Sequence, residues 1–386
     1  MGERVSGLHW IVWKNGSDSY MKLIYATPVR IPTKNAHGFQ IMNMCAAFAA
    51  AGVETELVVP KRKNLLSEDP FTFYNVPRNF TIKTLPVIDL FGGFVPEKIC
   101  NILNVYSFLV SVKLYLLHKK FDVLYTRDPA LGMFFKNYVI EIHMPEHVNI
   151  WGYKPKKIVV LTSHIKKVLV QIGVAASRVL VAPDAVNLAL FQVGNKDEAR
   201  RALNLPSDKR IVLYWGNFKK WKGVDVLVDA AADLKDCVVV LVGGTKDTDV
   251  KRLRERCSAE TNIIIEGFKP QTEEPLWLAA ADVLVIPNTA KDDNSLLYTS
   301  PMKLFEYLSA ARPIVAADLP SLRDVLDETT AVFFEADNPH GLAKAIKDIL
   351  ENIEKAKAIS LAARRKAEEH TWERRAQSVL SFIEND

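Results

Sequence analysis

The sequence is short of several things, and each shortage closes off a class of function. Neither half carries Gly-x-Gly-x-x-Gly behind its first apolar strand-like run, which argues against a nicotinamide-dependent dehydrogenase. The 386 residues hold four cysteines, Cys45, Cys100, Cys237 and Cys257, far apart in the chain. Without metal-ligand or redox spacing they read as free thiols of a reducing compartment. No run reaches the roughly 20 apolar residues that a spanning helix needs, and residues 8–13 are too short for a secretory signal core. A cytoplasmic protein is the expectation. Charge of one sign is also scarce: the net charge is +5, compatible with an anionic ligand or an anionic membrane surface and no indication of nucleic acid.

What is present is length and alternation. A chain of 386 residues exceeds what one hydrophobic core usually organises, so two domains are expected. From Met21, apolar runs at 22–25, 56–59, 121–125, 138–142 and 158–161 alternate with helical stretches, and the pattern restarts at 211–214, 238–242, 262–266, 283–286 and 313–316. Apolar strands without polar alternation imply parallel sheets covered by helices on both faces, hence an α/β protein with two doubly wound halves. The polar stretch 193–198 marks the boundary, giving domains at 21–192 and 193–370, an N-terminal extension 1–20 of no assigned role, and a terminal helix 371–386 expected to dock back on the N-terminal domain. Ligands of such sheets gather at the carboxyl ends of strands.

Two segments there carry chemistry. Ser300-Pro301-Met302-Lys303-Leu304-Phe305-Glu306-Tyr307 reads as a loop entering a helix, followed by the strand at 313–316. Pro301 suits the first helical turn, whose unpaired N–H groups offer an anion site. Glu306, about one and a half turns in, is placed to reach the hydroxyls of a ribose, or else is a solvated helix residue. The second segment, Leu213-Tyr214-Trp215-Gly216-Asn217-Phe218-Lys219-Lys220-Trp221-Lys222-Gly223, puts a glycine directly after a strand and lysines before a helix. Gly216 permits close backbone approach, and Lys222, with Lys219 and Lys220 nearby, adds positive charge for a diphosphate. The plain alternative is a basic surface loop.

With Leu241-Val242-Gly243-Gly244, Glu266-Gly267-Phe268 and the strand Ala281 to Pro287, these segments form an ordered series that resembles the GT-B glycosyltransferases, specifically glycosyltransferase family 4, over about residues 21 to 380. The resemblance implies two Rossmann-like domains facing across a cleft and a metal-independent, retaining transfer of a sugar from a nucleoside diphosphate sugar, with no cofactor. It assigns Lys222 to the donor diphosphate and Glu306 to the nucleotide ribose. The donor-binding set it implies is Gly38, Gly216, Lys219, Lys220, Gly243, Gly267, Phe268, Tyr298, Thr299, Ser300 and Lys303.

Departures from the family pattern are specific. Tyr298 stands where a first glutamate often lies eight positions before the second, with Asp292 or Asp293 as substitutes only if that loop folds back. Asn217 stands where an arginine commonly follows the glycine. In the N-terminal half, Ala36-His37-Gly38-Phe39-Gln40 looks like the family's glycine-containing loop, and Glu141-Ile142-His143-Met144-Pro145 places His143 as the family histidine near the reacting centre. Arg127, in Tyr125-Thr126-Arg127-Asp128-Pro129, is read as a partner of Asp128. Asp247-Thr248-Asp249 resembles the metal motif of a different glycosyltransferase fold but is better explained as helix capping, so no essential metal is expected.

Residues 101–118 are strongly apolar and end at Lys119-Lys120. They read as a buried helix or as an amphipathic helix touching a membrane near a lipid-linked acceptor. The expected partners are a nucleotide-sugar donor, a carbohydrate or lipid-linked saccharide acceptor and a peripheral membrane contact. The rival readings are a catalytically weakened nucleotide-sugar-binding subunit, prompted by Tyr298 and Asn217, and a GT-B epimerase or hydrolase acting on the donor alone.

Overall fold

Apolar runs too short for helices and flanked by crossovers become parallel strands, because a parallel neighbour needs a long return connection. The computed structural model describes residues 21–90, 96–145, 155–191, 194–244, 247–257 and 261–385; the extension 1–20 lies outside them. The first sheet holds β1 (Lys22–Ala26), β2 (Glu54–Lys61), β3 (Thr81–Pro86), β4 (Val123–Thr126), β5 (Val139–Ile142), β6 (Lys157–Val160) and β7 (Val179–Val181), in the order β3-β2-β1-β4-β5-β6-β7. The second holds β8 (Arg210–Gly216), β9 (Cys237–Gly243), β10 (Ile263–Ile265), β11 (Val283–Ile286), β12 (Ile314–Ala317) and β13 (Val332–Phe334), in the order β10-β9-β8-β11-β12-β13.

In each sheet the first strand pairs in parallel on both sides, β1 with β2 and β4, β8 with β9 and β11. The chain therefore leaves that strand in opposite directions, and the carboxyl ends of β1 and β8 become the switch points where a ligand fits. Central strands are buried along almost their whole length, as two-sided cover requires.

The chain divides into two compact units, residues 1–159, 175–180 and 376–386 against 160–174 and 181–375. Residues 160–174 and 181–192 depart from the expected boundary at 192 by grouping with the second unit. Residues 160–174 go with the second unit because Thr162 Oγ1 donates to the Leu297 carbonyl at 2.9 Å and Ser163 Oγ bonds the Asp324 carboxylate at 2.6 Å. At the chain's end Lys157 Nζ donates to the Asn385 carbonyl and lies 4.9 Å from the Phe382 ring centroid, both inside the first unit. All four cysteines are buried and free.

Helix Glu97–Leu116 corrects the run-length reading. Its stretch Lys98–Leu116 is long and apolar enough by length and composition to cross a membrane, because scattered asparagines and lysines interrupt a run without lowering the average much. One stripe, Cys100, Asn104, Phe108, Val112 and Leu116, is buried.

Candidate functional site

In the second unit the end of β8 and helix Met302–Ser309 converge. Gly216 closes β8 at φ +140°, and a Cβ there would stand 2.8 Å from Lys303 Nζ, so only glycine leaves room for the lysine and accepts that backbone. Lys303 is buried, its Nζ stacked 3.6 Å from the Tyr214 ring centroid, with no hydrogen-bond partner among the described residues. Burial pushes its pKa well down, and the nearby charge of Lys222 pushes the same way.

One turn further along, Glu306 is 5% exposed, which removes the solvated-residue reading. Its Oε1 accepts from Gln271 Nε2 at 2.9 Å. Glu274, at the start of helix Glu274–Ala280, is fully buried against it. Burial raises both carboxyl groups, and the charge of Glu306 raises Glu274 further. Two buried carboxyls this close disfavour ionising together, and the stronger upward shift is that of Glu274.

Lys222 ends the turn Lys220–Lys222, half-buried, with Nζ 3.8 Å from the Trp221 ring centroid. Burial, then repulsion from Lys219, lower its pKa to about 7, against an opposing pull from Asp184. Lys219 and Lys220 are exposed, and Lys219 N–H donates to Asn217 Oδ1 at 3.0 Å. The basic-loop reading therefore describes these two and not Lys222.

The remaining positions divide by role. Ser300 Oγ accepts from Asp184 N–H at 3.0 Å and ties the loop before the helix, while Tyr298 and Thr299 are half-buried in that loop. Asp292 Oδ1 accepts from Ser295 N–H at 3.2 Å and caps the turn leading to Tyr298. Gly243 N–H donates to the Gly267 carbonyl at 2.7 Å and Gly244 N–H to the Gly216 carbonyl at 3.1 Å, so these glycines knit the strand ends together. Phe268 is 42% exposed beside them. Asp247 and Asp249 sit in the first turn of helix Asp247–Arg256.

The first unit has its own polar cluster at the ends of β4 and β5. Buried Glu141 accepts from Tyr125 OH at 2.5 Å, from His143 Nε2 at 2.8 Å and from Gln40 Nε2. Arg127 donates to Gln40 Oε1 and to His143 Nδ1, both at 2.8 Å. A guanidinium only donates, so Nδ1 must accept and Nε2 must carry the proton that Glu141 receives. His143 is thus a neutral imidazole held between a cation and a carboxylate. Arg127 reaches these residues, while Asp128 Oδ1 caps the turn Pro129–Met133 through Ala130 N–H. Gly38 serves packing: a Cβ would meet Tyr74 OH at 2.3 Å, where that hydroxyl donates to the Thr33 carbonyl at 2.9 Å.

Set beside known proteins, residues 195–366 match the family described as glycosyl transferases group 1, and this span holds Gly216, Lys222, Lys303 and Glu306. Residues 195–366 are similar to a group 1 glycosyl transferase domain. Curated relatives of this domain include D-inositol 3-phosphate glycosyltransferase 1 of Catenulispora acidiphila, 27% identical over 54% of this chain and 52% of its own, and the D-inositol 3-phosphate glycosyltransferase of Streptosporangium roseum, 30% identical over 45% and 42%. The chain spans about half the length of the curated relatives it matches. Solved structures similar to the whole chain include sucrose-phosphate synthase from Thermosynechococcus elongatus, with TM-score 0.74, 18% identity and 94% of this chain covering 98% of that one. Anabaena HepE in complex with UDP and glucose matches equally, TM-score 0.74 at 15% identity over 95% and 100%. The fold is GT-B.

Within the group 1 domain the sequence reading missed Gln271, Glu274 and Tyr214. Glu274 sits in Gln271-Thr-Glu-Glu-Pro, which looks like an acidic surface turn until the fold buries its second glutamate. Outside it, Glu141 was findable: a lone acid between Ile140 and Ile142 in an apolar strand must have buried partners.

Proposed function

We propose that the chain is a retaining glycosyltransferase that moves a hexosyl-type group from a nucleoside diphosphate sugar to an acceptor hydroxyl on a glycan or lipid-linked saccharide, working in the cytoplasm and peripherally at a membrane. The observation that carries this reading is the pairing of Lys303 with Glu306, one turn apart and buried inside a group 1 domain. A buried ammonium without an acceptor and a buried carboxylate are costly to the fold, and both costs are offset when a diphosphate meets the lysine and ribose hydroxyls donate to the glutamate. Lys222, with a pKa of about 7, gains its proton as the anion arrives. Relatives named D-inositol 3-phosphate glycosyltransferase, and solved complexes of HepE with UDP-glucose, support a sugar-nucleotide donor.

In the proposed step the bond from the anomeric carbon to the diphosphate breaks and the bond to the acceptor oxygen forms on the same face. The acceptor proton passes to the departing phosphate oxygen, so no protein nucleophile is required. Lys222 and Lys303 stabilise the charge developing on the leaving group in a site with little water. His143, its two ring nitrogens engaged by Glu141 and Arg127, positions and does not exchange protons. Retention rests on the family resemblance.

The test is a thermal-shift screen with UDP, GDP, ADP and their sugars, followed by turnover of the stabilising donor with an acceptor panel. Selective stabilisation by one nucleotide family with acceptor-dependent turnover is expected. Turnover of the donor without acceptor would favour the hydrolase or epimerase reading, and binding with no turnover the weakened subunit.

A further inference from the structure

The amino ends of β8, β11 and β12 border a cleft of about 540 Å³, inside the range of about 300–1,000 Å³ that small-molecule sites occupy. All of its lining belongs to the second unit. It lies at the opposite end of these strands from Gly216, roughly 20 Å away along β8. The floor is apolar, formed by Ile349, Leu350, Ile353 and Leu361 of helices Pro339–Glu351 and Ile353–Glu369, and Ile353 and Leu361 are 58% and 59% exposed. The charged side chains around it are Lys196, Arg210, Asp282, Arg312, Lys357 and Arg364, five cations to one acid.

Asp282 does not neutralise that excess. It is already bonded by Arg200 at 2.5 Å, by Ile211 N–H at 2.7 Å and by Lys196 at 2.8 Å, while exposed Arg210 stands off at 3.8 Å. Lys357 pairs with Glu354 at 3.1 Å, and Arg364 donates to the carbonyls of Phe191 and Ser309. Arg312 differs from these. Its Nη2 donates to the carbonyls of Ala279 at 2.8 Å and Gly194 at 3.3 Å, which fixes the guanidinium, yet its buried Nε has no hydrogen-bond partner among the described residues. A buried donor left unpaired costs free energy that an incoming acceptor would return.

We propose that this cleft binds a small organic anion, one acid group on an apolar body, with the charge held by Arg312 and Arg210 and the body laid on the apolar floor. Cations and floor select this class together. A metal ion would be repelled by the surrounding positive charge, and a bare inorganic anion would leave the apolar side chains open to water. The site stands apart from the sugar transfer. A protein that turns over no donor yet fills this cleft would sink the reaction and leave the site intact.

The experiment titrates the full chain, by fluorescence, with anilinonaphthalene sulfonate and with phenylnaphthylamine, the same ring system without the acid group. The sulfonate is expected to bind wild type at least about tenfold more tightly than the neutral dye, as a charge-assisted hydrogen bond allows. Arg312→Gln should abolish that preference while the neutral dye binds as before. Ile353→Glu places a negative charge on the floor and should weaken the sulfonate by at least about tenfold. Ile353 is exposed at the first position of its helix, where a carboxylate suits the helix end, so this variant carries the test if Arg312→Gln fails to fold. No fluorescence change with wild type, equal affinity for the two dyes, or sulfonate binding by either folded variant like that of wild type overturns the proposal. So does displacement of the sulfonate by UDP, GDP or ADP, which would seat the dye in the nucleotide site.

Discussion

The ammonium of Lys303 lies 3.6 Å from the centroid of the Tyr214 ring and has no hydrogen-bond acceptor among the described residues. The ring face offers partial compensation through its quadrupole, less than a carboxylate would. The room for this arrangement comes from Gly216, whose missing Cβ would otherwise stand 2.8 Å away.

Lys303→Met keeps the stem and removes the charge. Relief of the desolvated ammonium should raise the thermal midpoint by about 2–4 °C, while nucleotide affinity falls at least about tenfold. Differential scanning calorimetry with and without nucleotide reads both effects. Loss of stability with unchanged affinity would make Lys303 an ordinary packing residue.

Lys222 carries a pH dependence whose sign is fixed. Its pKa near 7 in the free protein rises when a diphosphate arrives, so binding takes up a proton and donor affinity should weaken as pH climbs above about 7. Lys222→Ala should lower donor turnover by at least about tenfold, or ~1.4 kcal/mol, and flatten the pH slope. Wild-type turnover in the purified mutant would remove it from the diphosphate site.

Glu141 gathers three donors in the first unit, from Tyr125, His143 and Gln40. Glu141→Ala strands all of them and the opposing Arg127, and should destabilise the fold by about 3 kcal/mol. Urea denaturation measures this. Nitrogen NMR on the wild type should show His143 protonated at Nε2, and a proton at Nδ1 would contradict the Arg127 contact.

The sequence made the fold legible where strands are apolar throughout, as at β1, β4, β8 and β11. It did not disclose β3, β7 and β13 at the sheet edges: β3 is mixed in polarity, and β7 and β13 are apolar but only three residues long, too short to mark a strand. Glu306 and Lys222 drew attention in the sequence because one lies in a helix opened by Pro301 and the other in a turn after the Gly216 strand end. Glu274 and Gln271 did not, since their burial depends on helix Met302–Ser309 arriving from thirty residues away, a contact with no local signature. Gly38 reads in the sequence as a loop glycine letting backbone amides approach the donor, while the structure has the hydroxyl of Tyr74 pressed against it, a contact the sequence does not reveal.

Glu306 tests the central claim most directly. It is buried, accepts from Gln271 Nε2 at 2.9 Å and is backed by Glu274, and in the proposed site it accepts from the two ribose hydroxyls. Charge-assisted bonds of this kind contribute about 1.5 to 3 kcal/mol. Calorimetric titration of wild type and Glu306→Gln with the preferred nucleotide and its 2′,3′-dideoxy analogue should show affinity reduced about tenfold or more in the mutant. Wild type should discriminate strongly against the dideoxy ligand and the mutant much less. Equal discrimination by both proteins would contradict the assignment of Glu306 to the ribose and, with it, the nucleotide site of the group 1 domain.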